Sequence, residues 1–139
     1  TDNLVWKEAQ GEDTAFVTLK TDNGKVATMH SSAIQWKHKF DLDITCTNGY
    51  IALNGLLTST QSYGEERIAY YKKDLEVKSG KLGNPTEYNM CFDADRSWDF
   101  EIEEFYDAVT CMRPVINGTV DDAVAVMELI ERVYGNSHI

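Results

Sequence analysis

Apolar runs, paired cysteines and positive charge are all scarce in this 139-residue chain, and each scarcity removes a class of protein. No stretch approaches the roughly 20 consecutive apolar residues that cross a bilayer, and Thr1 to Trp6 carry neither a basic n-region nor an apolar h-region. A membrane span and a secretory leader are not expected. Thirteen basic residues against 23 acidic ones give a formal charge of −10, which repels phosphate backbones and anionic lipid and leaves no basic stripe for nucleic acid. Cys46, Cys91 and Cys111 are odd in number and share no CxxC spacing; lying among apolar neighbours, they read as buried thiols of a reducing, cytoplasmic setting. There is no HExxH pair, GxSxG elbow, Walker A loop or GxGxxG turn, so hydrolase, zinc and nucleotide-cradle chemistry have no local support. The length suits a single domain, residues 1–139, around one core, and a start at Thr1 without Met reads as a piece of something longer.

What is present is organised around His38 to Leu57. Phe40, Leu42, Ile44 and Cys46 alternate with Lys39, Asp41, Asp43 and Thr45, the period of two that sends one set to each face of a strand. Asn48-Gly49 follows, a pair suited to the positive φ angles of a type I′ turn. With those two as the turn, Cys46 is expected to face Ile51 and Ile44 to face Leu53, both apolar sets on one side. Thr14 to Thr21, Asp22-Asn23-Gly24-Lys25 and Val26 to Trp36 make a second hairpin, with Val17, Leu19, Val26 and Ile34 assigned to one face and Phe16, Ala27, Met29 and Ala33 to the other. Leu56 to Ser62 and Arg67 to Val77 read as further strands, and Lys78 to Tyr88 as a surface loop.

The period then lengthens. Ile102, Phe105, Tyr106, Val109 and Met112 fall on one helical stripe from Asp99 to Met112, stopped by Arg113-Pro114. Thr119 and Asp122 form a capping box for a second helix, whose stripe includes Val120, Val124, Met127, Ile130 and Tyr134 and which Gly135 is expected to end in the left-handed conformation. Strands followed by a helical pair bury their apolar faces on one another, so the predicted class is α+β: an open, predominantly antiparallel β-sheet with the C-terminal helical pair packed on one face, a two-layer sandwich.

Few residues suggest chemistry. Asp93 to Glu104 places oxygen side chains at EF-hand positions 1, 3, 5, 7, 9 and 12, but Trp98 stands where the sharp turn needs glycine, so an acidic helix start is the better reading and no metal site is assigned. Asp41-Leu-Asp43 and Asp121-Asp122 are explained by strand alternation and capping, and Asn117-Gly-Thr119 by a turn into a helix cap rather than by glycosylation. Gln35-Trp36-Lys37-His38 differs, because it gathers an aromatic, a cation and an imidazole between two strands, where side chains converge on polar ligands. The alternative is that Trp36 packs and His38 is merely exposed.

Three pieces in this order resemble the carboxy-terminal domain of the Gfo/Idh/MocA family of NAD(P)-dependent oxidoreductases: Val17 to Ser32 around Asn23-Gly24, the Phe40 to Gly55 hairpin, and Glu101 to Pro114 followed by Gly118 to Ser137. The resemblance implies a preceding Rossmann domain that carries NAD or NADP and the catalytic lysine, so neither catalytic nor cofactor-binding residues are expected in this chain. It also implies that Trp36 and His38, just before the central hairpin, contact a sugar, polyol or nucleotide sugar, and that copies assemble as a homo-oligomer through the open sheet face. A stand-alone α+β ligand-binding or dimerisation module without redox activity is the alternative.

Overall fold

A computed structural model describes residues 2–73 and 86–135. It contains β1 (Thr14–Lys20), β2 (Val26–Ser32), β3 (Asp41–Cys46), β4 (Gly49–Asn54), β5 (Glu66–Lys72), β6 (Tyr88–Phe92), α1 (Ser97–Cys111) and α2 (Val120–Gly135). The fold is α+β with open antiparallel sheets and a carboxy-terminal pair of helices, as the pattern predicts, although the strands form a two-stranded and a four-stranded sheet. The chain divides into two compact units, a hairpin–helix unit of Thr1–Trp36 with Glu103–Ile139 and a sheet unit of Lys37–Ile102.

In the hairpin–helix unit, β1 and β2 pair antiparallel from Thr14↔Ser32 to Lys20↔Val26. Gly24, at φ 84°, sits in a five-residue loop closed by Thr21 N–H on Lys25 O at 2.9 Å and Gly24 N–H on Thr21 O at 2.9 Å. This register opposes Val17 to Met29 and Leu19 to Ala27, so these four share a face, while Val26 joins Phe16 and His30 on the other. The predicted face sets are thereby corrected, because an odd-numbered loop fixes which residues oppose one another. β1 alternates as a half-covered strand should: Val17 and Leu19 are half-buried, Phe16, Thr18 and Lys20 exposed. Its outer face carries Phe16 stacked on His30, centroids 4.2 Å apart.

Asp13 anchors the base of that hairpin. Its carboxylate accepts the backbone N–H groups of Leu4 at 3.0 Å, Val5 at 2.7 Å and Trp6 at 2.9 Å, and the residue is only 2% exposed. Burial pushes this carboxyl upward, but the N–H groups of Trp6, Val5 and Leu4 and the Thr14 hydroxyl outweigh it and hold the pKa at about 2. α2 opens with the predicted box: Thr119 N–H and Oγ1–H donate to Asp122 Oδ2 at 3.0 and 2.7 Å, and Asp122 N–H donates back to Thr119 Oγ1 at 3.2 Å. Gly135 belongs to the helix itself and has no positive φ; the expected left-handed cap is absent there, whereas Met112, just past α1, adopts φ 51°.

In the sheet unit the order is β3-β4-β5-β6, all antiparallel. The register of β3 on β4 runs from Asp41↔Asn54 to Cys46↔Gly49, so the two turn residues are Thr47 and Asn48, neither with positive φ. The predicted type I′ turn at Asn48-Gly49 is therefore corrected by one residue, to Thr47-Asn48, and the strand register with it by two, a shift that keeps parity and leaves both apolar sets on one face. Gly49 is needed for a different reason: a Cβ there would lie 2.0 Å from the Tyr71 carbonyl oxygen on β5. Leu42, Leu53, Ile68 and Met90 form one cross-strand row and Ile44, Ile51, Tyr70 and Tyr88 the next. On the opposite face Ala69, 2% exposed, stands between Ala52 and Asn89 in register.

Leu56 to Ser62 is not a strand; Gln61 at φ 51° and a Gln61 N–H to Thr58 O bond at 2.9 Å make it a turn, and Gly55, at φ 73°, would meet Glu65 O at 2.0 Å if it had a Cβ. Tyr88–Phe92, absent from the predicted strands, pairs with β5. The predicted strand end at 74–77 and most of the 78–88 loop lie outside the described residues. All three cysteines are exposed, which corrects their reading as buried thiols: Cys46 and Cys91 sit on edge strands, each open on one side, and Cys111 is the last residue of α1.

Candidate functional site

The polar groups that converge in the sheet unit lie where β3 begins and β4 ends. Asp41 opposes Asn54 in register, so Asn54 Nδ2–H donates to Asp41 Oδ1 at 2.8 Å while Lys39 Nζ meets Asp41 Oδ2 at 2.6 Å. The Lys39 ammonium, then the Asn54 amide, hold the Asp41 carboxyl below its ordinary range, and Asp41 in turn raises Lys39. Both groups stay charged at neutral pH. One residue earlier, His38 meets the Tyr63 ring edge-on, centroids 5.0 Å apart at 84°. Tyr63 is delivered by the Thr58–Gly64 turn, with Gly64 at φ 82° donating to Gln61 O at 3.3 Å, and Gly55 N–H on Phe40 O at 2.9 Å ties the end of β4 to the residue before β3.

The arrangement offers an imidazole, a phenol and a Lys–Asp–Asn cluster, all side chains that exchange hydrogen bonds with hydroxyl groups. None of the described contacts of these side chains couples a nucleophile to a base. Trp36, the other predicted contact, is 105% exposed, and among the described residues no ring or hydrogen-bonding partner meets it. The boundary between the units falls directly after Trp36, so the structure describes it and His38 in separate units. The packing alternative for Trp36 is not what is seen.

Sequence reasoning missed Asn54 and Tyr63. Asn54 had a local signal, since the observed register sets it opposite Asp41; Tyr63 had only its place beside Gly64 in a breaker-rich stretch, and a contact 25 positions from His38 has no pattern to announce it.

The acidic stretch after Asp93 is committed to structure. Asp95 Oδ1 accepts Ser97 N–H at 3.0 Å and Ser97 Oγ–H at 2.6 Å as α1 starts. Glu104 accepts Ile116 N–H at 2.8 Å, Asn117 N–H at 3.0 Å and Asn117 Nδ2–H at 2.7 Å, fixing the link between the helices. Asn117 lowers the Glu104 carboxyl, by its side chain first and its backbone next. Among the described residues no group of three metal-ligating side chains converges, and no helix is long and apolar enough to cross a membrane.

These carboxylates also bear on nucleotide binding. A helix amino terminus binds phosphate through free N–H groups and its positive dipole end, but here Asp95 and Asp122 already occupy the two helix starts, and their charge repels a pyrophosphate. Neither of these two helix starts, among the described residues, offers a pyrophosphate a free cradle of N–H groups. Compared with known proteins, residues 2–138 match the family model described as "Oxidoreductase family, C-terminal alpha/beta domain". No curated protein and no solved structure matches the chain.

Proposed function

Since the chain belongs to the Gfo/Idh/MocA oxidoreductase family as its C-terminal alpha/beta domain, we propose that residues 1–139 act as the substrate-side and oligomerisation domain of a cytoplasmic NAD(P)-dependent dehydrogenase. The observation that carries this reading is a pair of neighbouring polar groups at the start of β3, the His38–Tyr63 ring pair and the Lys39–Asp41–Asn54 network, in a chain whose described helix starts are occupied by Asp95 and Asp122. Hydroxyl-rich substrates, a sugar, a polyol or a nucleotide sugar, suit those donors and acceptors, and an exposed Trp36 offers a flat ring to the apolar face of a sugar. The hydride carrier and the proton-transfer groups then belong to a preceding Rossmann domain, which supplies the cofactor's redox chemistry.

In this reading copies of the enzyme associate through the apolar face of the four-stranded sheet. Support comes from the exposure of its two rows, with Leu42 at 43%, Met90 at 51% and Tyr88 at 60%. The test of the function uses the complete enzyme: replacing Trp36 or His38 by Ala is expected to lower kcat/KM for substrate about tenfold or more while the cofactor Kd stays unchanged. Unaltered turnover in both variants would remove the assignment.

A further inference from the structure

The hairpin–helix unit contains a cavity of about 440 Å³ between the inner face of the β1–β2 hairpin and α2, within the range of roughly 300–1,000 Å³ typical of small-molecule sites. The hairpin lines it with the short Ala15 and Ser31 and the longer Val17, Leu19 and Met29, and α2 with Val126, Leu129 and Ile130, which stay partly open to solvent. The long walls are apolar and one end is not. There Glu12 accepts the Tyr134 hydroxyl at 2.5 Å, a bond joining residues 122 positions apart that props the hairpin base and the end of α2 around the opening.

We propose that this cavity binds a small amphipathic cation, an alkylammonium-type molecule whose hydrocarbon body lies between hairpin and helix and whose charged head meets Glu12. The head-group assignment follows from charge. The Tyr134 hydroxyl keeps the Glu12 carboxyl below its ordinary range, so it is anionic at neutral pH, and Asp13 beside it is anionic as well, with its oxygens committed to the N–H groups of Leu4, Val5 and Trp6. Two carboxylates at one end of an apolar slot, in a chain of net charge −10, repel a carboxylate or phosphate head and favour an ammonium. The site is independent of the redox reading, because it lies wholly in the unit that lacks His38 and Tyr63.

The experiment is a titration of the 139-residue chain with octylammonium chloride and, separately, sodium octanoate, both below their micelle concentrations, followed by calorimetry and by the methyl resonances of Val126, Leu129 and Ile130. Octylammonium is expected to bind about tenfold or more tightly than octanoate and to shift those methyls. Glu12→Gln should remove most of that preference, with a backbone amide spectrum otherwise like that of the parent chain. Leu129→Trp, which fills the slot, should abolish binding of both ligands; if it does not fold, Glu12→Gln decides. Absence of octylammonium binding, equal or tighter binding of octanoate, or an unchanged preference in Glu12→Gln would each overturn the proposal.

Discussion

The two hairpins carry the same dipeptide and use it differently. In β1–β2, Gly24 of Asn23-Gly24 lies within the loop, at φ 84° with nothing within 4 Å of where a Cβ would stand. In β3–β4, Gly49 of Asn48-Gly49 lies in the strand, and its missing Cβ leaves room for the Tyr71 carbonyl 2.0 Å from that point. Glycine thus serves backbone freedom in one hairpin and close approach of a third strand in the other. The aspartates at their bases differ too: Asp13 is buried and accepts from three backbone N–H groups, whereas Asp41 is exposed and accepts from two side chains.

That contrast orders the expected effects of substitution. Gly49→Ala should be the most damaging, costing about 3 kcal/mol in urea unfolding, at the top of the ordinary range for point changes, because the obstacle is backbone and cannot swing aside. Asp13→Asn comes next, and its effect should depend on pH. A carboxyl held at about 2 when folded against 3.8 ordinarily contributes stability that is complete above about pH 4 and lost as pH falls from there to about 2. Acid titrations of the parent chain and Asp13→Asn should therefore converge in that window, and a constant gap down to pH 2 would mean the carboxylate's charge is not what anchors Leu4 to Trp6.

Gly24→Ala should cost about 1–2 kcal/mol, the penalty of a side chain in the left-handed region without any clash. Equal losses for Gly24→Ala and Gly49→Ala would erase the distinction between the two glycines. Asp41→Asn, smallest of all, should change stability by about 0.5 kcal/mol or less, since its partner Lys39 is solvent-exposed and exposed ion pairs contribute little.

Much of the fold was readable from local pattern. The alternation of β3, the stripes of both helices and the Thr119–Asp122 box are each set by residues a few positions apart, and each appears where its spacing indicates. Two of the misses in the sheet unit share a cause, which is that the deciding neighbour lies along the chain beyond the local pattern. The β3–β4 register followed the demand of β5 on Gly49 rather than the turn preference of Asn-Gly. β6 was hidden behind a glycine- and proline-bearing stretch and is defined only by pairing with β5. In the candidate site, Trp36 and His38 stood out as an unusual cluster between strands, while Tyr63 and Asn54 acquire meaning only once the turn and the register bring them to His38 and Asp41.

The central claim is that this domain meets substrate while the dinucleotide is held elsewhere, and a titration of the 139-residue chain with NADH and NADPH, read by Trp fluorescence and calorimetry, tests it most directly. The account predicts no saturable binding into the millimolar range, as expected of a chain whose helix starts are filled by Asp95 and Asp122. A micromolar Kd for either nucleotide would contradict it.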